Sequence, residues 1–339
     1  MQRIESLIAN AIQKFNLRLD SLLVLTEAAN GLYFITPIIA ALAGAQVVAI
    51  AKDSKYGPAE EVLTYVKSKA IAFNVEKKID FVNKLSAHDI KRADIITNLG
   101  FVRPINGQVV KHIQSSAVIS LFCESWELRK DDVDLNICRE RNIMVLGTNE
   151  EAPGLNVFKY VGPLTLKLLF EAGLEVCRNE FLIFSNDKFG KVIQSTLHRN
   201  GAVSKLLKIH SNTKIPDTIK SLDAIIVADY TYDGIIIGNH GLISPTEISQ
   251  RFPDVNIIQL AGRIVADELA VEKIHYFPDP PVGAHRMART FDYLGPKPLI
   301  DLHTAGLKVG LIGILALRNH TDPDAQIKQI ISHPLCQLV

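Results

Sequence analysis

Short apolar, β-branched runs alternate with helix-like segments along almost the whole chain. Examples of the strand-like runs are LLVLT (22–26), QVVAIAK (46–52), AVISLFC (117–123), EFLIFS (180–185) and LDAIIVAD (222–229). Strands that alternate with helices of about 10–15 residues form βαβ units, whose parallel sheets are buried on both faces. The pattern therefore predicts an α/β fold with two open, parallel-sheet, Rossmann-like domains and a ligand cleft between them.

Composition and charge exclude several classes of protein. Of the 339 residues, 47% are hydrophobic and 22% are charged, and the formal net charge is +1, which argues against a nucleic-acid or anionic-membrane partner. The longest apolar run, LKVGLIGILAL (307–317), is too short to span a bilayer, and the first residues form an amphipathic helix rather than a secretion signal. Four scattered cysteines without metal-ligand spacing predict a cytoplasmic protein with no structural metal.

Four stretches resemble motifs of the D-2-hydroxyacid dehydrogenase family, which includes formate dehydrogenase, and more distantly adenosylhomocysteine hydrolase. They are ADIITNLGFVRPINGQVVKHI, DDVDLNICRERNIMVLGTNEEAP, NIIQLAGRIVADELA and PLIDLHTAG, and their order covers the chain from about residue 90 onward. The resemblance implies a flavodoxin-like substrate and catalytic domain, residues 1–155 plus 303–339, and an inserted dinucleotide-binding domain, residues 156–302. It also implies a homodimer that acts on a small molecule with NADP or NAD.

The resemblance also suggests catalytic residues. In the family an arginine binds the substrate carboxylate, a histidine acts as acid and base, and a carboxylate sets the pKa of that histidine. Here Arg263 and His303 occupy the matching strand ends, with PLIDLH read as a strand, and Asp279 is the carboxylate that we favour. Alternatively, Arg263 forms a local salt bridge and His303 is a hydrogen-bonded structural residue. His285 and Arg286 are further candidates for the same site.

The stretch FLIFSNDKFG (181–190) has the strand, tight loop and helix of a dinucleotide-binding turn. Aligned with G-x-G-x-x-G, it carries Ser185, Asp187 and Gly190, so only the third glycine is present. A carboxylate at the second position would repel the pyrophosphate by on the order of 4 kcal/mol at about 4 Å and an effective dielectric of about 20. The cofactor turn is therefore predicted to be impaired, by about a thousandfold in affinity.

The residue that would bind the cofactor ribose is expected about 20 positions beyond the turn. His210 and Ser211 stand there in place of an acid. This pair suits the 2′-phosphate of NADP better than the free hydroxyl of NAD.

Two loops of the first domain could bind an anion through their backbone N–H groups. The loop TNLGFV (97–102) follows a strand, so we expect Asn98 and Gly100 to contact the substrate. TEAANGLYFITP (26–37) also follows a strand, and Asp53 ends the next strand, where a ribose-binding acid would lie. A plain helix start is the simpler interpretation of this second loop.

The stretch FCESWEL (122–128) stands where the family carries small residues. Glu124, with Cys123 and Trp126, would change the substrate or block the cleft, although Trp126 alone is as well explained as a core residue.

The sequence supports two candidate functions. One is an NAD(P)-dependent oxidoreductase acting on a small carboxylate or 2-keto substrate. The alternative is a member of the same fold that has lost the cofactor and acts as a non-redox enzyme or a binding or assembly module.

Overall fold

The chain forms two compact units. The computed structural model describes residues 2–339, and its first unit runs to Val157 and resumes from Gly295 to Val339, while the second unit is Phe158–Leu294. The second boundary lies before residue 295, not after residue 302 as predicted. PLIDLH caused this error, because it is not a strand but part of a helix, Pro296–Asn319.

Unit 1 is built on a parallel sheet with one antiparallel edge strand. Elements are numbered in chain order, and its strands are β1 (Leu23–Glu27), β2 (Gln46–Ile50), β3 (Ile79–Val82), β4 (Ile95–Thr97), β5 (Val118–Ser120), β6 (Met144–Thr148) and β14 (Cys336–Leu338). Its helices are α1 (Gln2–Lys14), α2 (Ile35–Leu42), α3 (Ala59–Ala72), α4 (Ala87–Arg92), α5 (Gly107–Val110), α6 (Leu135–Glu140), α11 (Pro296–Asn319) and α12 (Pro323–Ile331).

The strand order of unit 1 is β14-β6-β5-β4-β1-β2-β3, with only β14 antiparallel to its neighbour. Without β14 this is the doubly wound order 3-2-1-4-5-6 that dinucleotide-binding domains use. The resemblance implied a flavodoxin-like domain for this unit, and the observed strand order differs from the flavodoxin-like one.

Unit 2 contains a smaller parallel sheet. Its strands are β7 (Glu180–Phe184), β8 (Val203–Leu207), β9 (Ala224–Ala228), β10 (Ile235–Ile237), β11 (Asn256–Ala261), β12 (Arg263–Ile264) and β13 (His275–Phe277). Its helices are α7 (Val161–Glu171), α8 (Lys188–Arg199), α9 (Pro245–Arg251) and α10 (Ala266–Val271). The sheet order is β13-β11-β9-β7-β8, which is the flavodoxin-like order, and β10 pairs separately with β12.

Helix α11 is the central packing element of unit 1. It lies against α1, α2 and strands β4 to β6, and glycines at positions 306, 310 and 313 allow the close approach. An added Cβ would lie 2.5 Å from the Phe122 ring at Gly306 and 2.6 Å from Ile95 at Gly310. By length and composition α11 could cross a membrane, but 89% of its most apolar stretch is buried inside the protein.

Candidate functional site

Each sheet has one point where the strand order reverses, and ligands of open α/β sheets bind beyond the carboxyl ends of the strands at that point. In unit 1 the reversal lies between β1 and β4, and in unit 2 it lies between β7 and β9. The polar residues that follow these four strands are therefore the first candidates for a site in each unit.

Glu27 is the last residue of β1 and is buried, with 5% of its surface exposed. Its Oε2 accepts a hydrogen bond of 3.3 Å from the N–H of Phe101, and an added Cβ at Gly100 would lie 2.4 Å from the same oxygen. Burial raises the pKa of Glu27 from 4.5 to about 7, against the opposing effect of the Phe101 N–H. This carboxyl therefore gains and loses its proton near neutral pH, beside a glycine that is exposed.

Asn98 follows β4 and ties it to the chain beyond β5. Its Oδ1 accepts the N–H of Phe122 at 2.8 Å, and its Nδ2 lies 3.6 Å from the Sγ of Cys123. The sequence predicted a substrate contact for Asn98 and Gly100. Both residues lie at the reversal point of unit 1. The Oδ1 and Nδ2 atoms of Asn98, however, contact Phe122 and Cys123 and so tie the loop after β4 to the loop after β5.

The segment after β5 is acidic and well ordered by its own hydrogen bonds. Glu124 is buried, it receives a hydrogen bond from the indole N–H of Trp126, and its own N–H donates to Glu127 at 3.0 Å. Burial, with the nearby Glu127 and Glu150 carboxylates, raises the pKa of the Cys123 thiol well above its usual value. Cys123 therefore stays protonated and is not a nucleophile at neutral pH.

The loop after β1 leads directly into a helix. Residues Gly31–Phe34 form a short 3-10 turn that leads into α2. Asp53 accepts the N–H of Ala59 at 2.8 Å, so its carboxylate caps the first turn of α3. The simpler interpretation of the loop 26–37, a plain helix start, agrees with the turn and helix observed there.

In unit 2 the predicted cofactor turn is closed by Asp187. The Oδ1 of Asp187 accepts the N–H of Phe189 at 2.9 Å and the hydroxyl of Ser185 at 2.9 Å, and its Oδ2 accepts the N–H of Tyr230 at 2.6 Å. Asp187 is thus the N-cap of α8. The carboxylate occupies the position at a helix N-terminus where a phosphate would bind, so the residues present do not fit a dinucleotide pyrophosphate here.

The other predicted cofactor residues have different surroundings. Gly190 donates its N–H to the hydroxyl of Ser185 at 3.1 Å, and an added Cβ would lie 2.6 Å from Leu206, so this glycine allows close packing of helix on strand. His210 and Ser211 lie exposed beyond β8, where the N–H of His210 bonds the Thr213 hydroxyl at 2.6 Å. Nothing in these contacts selects NADP over NAD.

His303 lies within α11, not at a strand end. It is 2% exposed, its Nδ1 lies 2.6 Å from the hydroxyl oxygen of Thr36, and its ring packs edge-on against Phe122. Burial lowers the pKa of His303 to about 3, so the imidazole stays neutral at working pH. The strand-end position that was predicted for His303 is therefore absent from the structure, and a pKa of about 3 does not suit an acid and base that works near neutral pH.

Arg263 and Asp279 belong to unit 2, whereas His303 belongs to unit 1. Arg263 is exposed in β12, and Asp279 accepts a hydrogen bond of 2.9 Å from the hydroxyl of Tyr276. Their predicted catalytic roles stay predictions. Asp279 takes part in a local contact with Tyr276 at the end of β13.

Within unit 2 an imidazole–carboxylate pair is made by His285. Its Nε2 lies 2.5 Å from the Oδ1 of Asp233, and its ring contacts Tyr230 edge-on. Gln259 is buried within β11, and its side-chain amide donates to the carbonyls of Gly262 and Val282 and accepts the N–H of Val282, which ties the chain before His285 to this strand. The sequence named His285 only as an alternative and did not identify Asp233, because the two residues are 52 positions apart.

Glu27 was also missed, although the sequence carried a signal for it. A charged residue directly after the apolar run LLVLT lies at the carboxyl edge of the sheet. Burying its charge there costs free energy unless the side chain has hydrogen-bond partners, so such a residue is a candidate for a site. The predicted residues Asn98, Gly100 and Glu124 follow β4 and β5 at the same edge.

The comparisons with known proteins establish the fold. No protein-family model matches the sequence, and no curated protein matches it. A dipicolinate synthase chain from Bacillus subtilis superposes with a TM-score of 0.55 at 12% identity, over 89% of this chain and 99% of that one. The dipicolinate synthase chain from Bacillus halodurans gives 0.52 at 9% identity, over 90% of this chain and all (100%) of that one.

A further similar structure is NAD-dependent formate dehydrogenase from Staphylococcus aureus in complex with NAD, with a TM-score of 0.48 at 14% identity, over 88% of this chain and 95% of that one. The similar structures thus include formate and phosphoglycerate dehydrogenases beside the dipicolinate synthase chains. The predicted α/β fold with two Rossmann-like parallel sheets is confirmed.

Proposed function

We propose that this chain is an enzyme that transfers a proton at the carboxyl edge of the unit 1 sheet, with Glu27 as acid and base. The observation that carries the proposal is a buried carboxyl, with a pKa of about 7, at the point where the strand order reverses. An acid or base works best when its pKa lies near the working pH, and strongly perturbed groups concentrate at functional sites.

The surroundings of Glu27 support both of its protonation states. Its neutral form is favoured by burial, and its ionised form is stabilised by the N–H of Phe101. Gly100 is exposed and carries no side chain, and an added Cβ there would lie 2.4 Å from the Oε2 of Glu27. The substrate class that we propose is a small 2-keto carboxylate. Glu27 takes a proton from C3, the carbon next to the keto group; the electrons of the broken C–H bond form the C2–C3 double bond of an enolate, and the carbonyl π electrons move to the keto oxygen. Return of a proton from Glu27 to C3 restores the 2-keto acid, and exchange of the Glu27 proton with solvent labels C3.

Deuterium exchange tests this proposal without any added cofactor. The full chain is incubated in deuterium oxide with a panel of small 2-keto acids, and loss of the C3–H signal is followed by NMR. We expect exchange with an acidic limb near pH 7 for the wild type, a loss of at least about a hundredfold for Glu27→Gln, and no change for Glu60→Gln. Glu60 is the matched control because it is exposed on α3. Equal exchange by Glu27→Gln and the wild type would refute the assignment.

The second candidate is an NAD(P)-dependent oxidoreductase that acts on a small carboxylate or 2-keto substrate. The His285–Asp233 pair favours it, since a histidine held by a carboxylate can exchange the hydroxyl proton of a 2-hydroxy acid. The residues of the 185–190 turn count against it, as described above. Titration with NADH and NADPH, followed by nicotinamide fluorescence, distinguishes the two candidates. A homodimer and a cytoplasmic location remain proposals that size measurement and cell fractionation would test.

A further inference from the structure

We infer that unit 2 keeps a Rossmann-like frame but has replaced the dinucleotide pyrophosphate with two of its own carboxylates. Asp187 follows β7 and Asp229 follows β9, and each accepts a hydrogen bond from the loop that carries the other. We call this arrangement of Asn186, Asp187, Asp229 and Tyr230 the aspartate clasp. The inference does not depend on the role proposed for Glu27.

The clasp is reciprocal. The N–H of Tyr230, directly after Asp229, donates to Asp187 at 2.6 Å, and the N–H of Asn186, directly before Asp187, donates to Asp229. Asp229 is fully buried, and its other oxygen accepts the N–H groups of Thr231 at 2.9 Å and Tyr232 at 2.8 Å. Each carboxylate therefore has the N–H and O–H donors that a buried anion requires.

The clasp lies at the one place in the sheet where a dinucleotide would bind. Strands β7 and β9 are parallel neighbours, and the strand order reverses between them. A pyrophosphate binds there through backbone N–H groups of the first turn and the helix that follows. In unit 2 the N–H groups of Asn186, Phe189 and Gly190 are bonded to groups of the chain itself.

A second brace ties in the loop after β8. The side-chain amide of Asn186 donates to the carbonyl of Ile209 at 2.8 Å and accepts the N–H of Ile209 at 2.9 Å. In addition, the ammonium group of Lys208 donates to the carbonyl of Asn186 at 2.8 Å. The loops after β7, β8 and β9 are thus joined to one another, and a phosphate would have to break these bonds as well as approach two carboxylates.

Hydrogen exchange of the full chain tests the inference, because the exchange rates of the same amides report both on the hydrogen bonds of the clasp and on cofactor binding. We expect the amides of Asn186 and Tyr230 to be protected in the wild type, with no change when NADH or NADPH is added to millimolar concentration. We expect Asp187→Asn to retain the acceptor for Phe189 but to raise exchange at Tyr230 about tenfold or more. Asp254→Asn, at an exposed aspartate of the same unit, is the matched control and should leave both amides unchanged.

Two results would overturn the inference. The first is additional protection of Asn186 or Tyr230, or a change in nicotinamide fluorescence, when NADH or NADPH is added to the wild type. The second is unchanged exchange at Tyr230 in Asp187→Asn, which would mean that the clasp does not hold this loop in solution. Far-ultraviolet circular dichroism of each variant verifies that the fold is retained.

Discussion

Replacing Glu27 with glutamine should change how the stability of unit 1 depends on pH. The pKa of Glu27 is raised to about 7 in the folded chain from an ordinary 4.5, so the folded state holds this proton more tightly than the unfolded state does. Stability from this group is therefore fully present below pH 4.5 and is lost as the pH rises through about 7. The total loss corresponds to roughly 3 kcal/mol, most of which falls between about pH 5 and 8.

Glutamine has nearly the same shape and still accepts the N–H of Phe101, but it does not ionise. Urea unfolding of the wild type and of Glu27→Gln at several pH values measures the difference in the free energy of unfolding. Because a chain of two units need not unfold in one step, the comparison uses the unfolding transition that the substitution shifts. We expect the variant to become the more stable protein as the pH rises above neutrality. Parallel pH dependences for the two proteins would refute the argument, because Glu27 would then titrate as an exposed carboxyl does.

Four further substitutions test contacts of unit 1. Gly306→Val should lower stability by about 1–3 kcal/mol in thermal unfolding, because an added Cβ lies 2.5 Å from the ring of Phe122. Thr36→Val should cost about 1–3 kcal/mol by leaving the buried His303 nitrogen unpaired. The pKa of His303 is about 3 in the folded chain and an ordinary 6.5 in the unfolded chain, so the folded state binds this proton more weakly. The stability from neutral His303 is fully present above pH 6.5 and is lost as the pH falls toward 3. His303→Gln should therefore reduce the dependence of the free energy of unfolding on pH in this acidic range. Gly100→Val should displace the Glu27 carboxyl, because an added Cβ would lie 2.4 Å from its Oε2, and should therefore shift the pH profile of deuterium exchange. An unshifted profile would argue against contact between residue 100 and Glu27.

The periodicity of the sequence was enough to predict the two sheets. Runs such as LLVLT and EFLIFS are strands because short, nearly continuous apolar runs suit strands that are buried on both faces. PLIDLH failed as a strand because α11 is buried on nearly all sides. A short apolar run from such a helix has no amphipathic period that distinguishes it from a strand.

The candidate sites were predictable only in part, because their side chains have two plausible uses. Asp187 could be read as a charge that repels phosphate, but Ser-Asn-Asp before a helix is also the pattern of an N-cap, and the structure shows that cap. Partners such as Asp229, 42 positions from Asp187, meet only when the sheet forms. Local sequence therefore identified the loops, while the direction of each carboxylate depended on contacts distant in sequence.

Helix α11 has a consequence for the order in which the chain folds during synthesis. The residues of strands β1 to β6 leave the ribosome first, yet the helix that covers their sheet is made only after all of Phe158–Leu294. Unit 2 is continuous in sequence and can fold while the apolar surface of β4 to β6 still lacks its cover. Unit 1 is therefore the last of the two units to finish folding. Aggregation is most favoured at the stage when α11 has not yet covered strands β4 to β6.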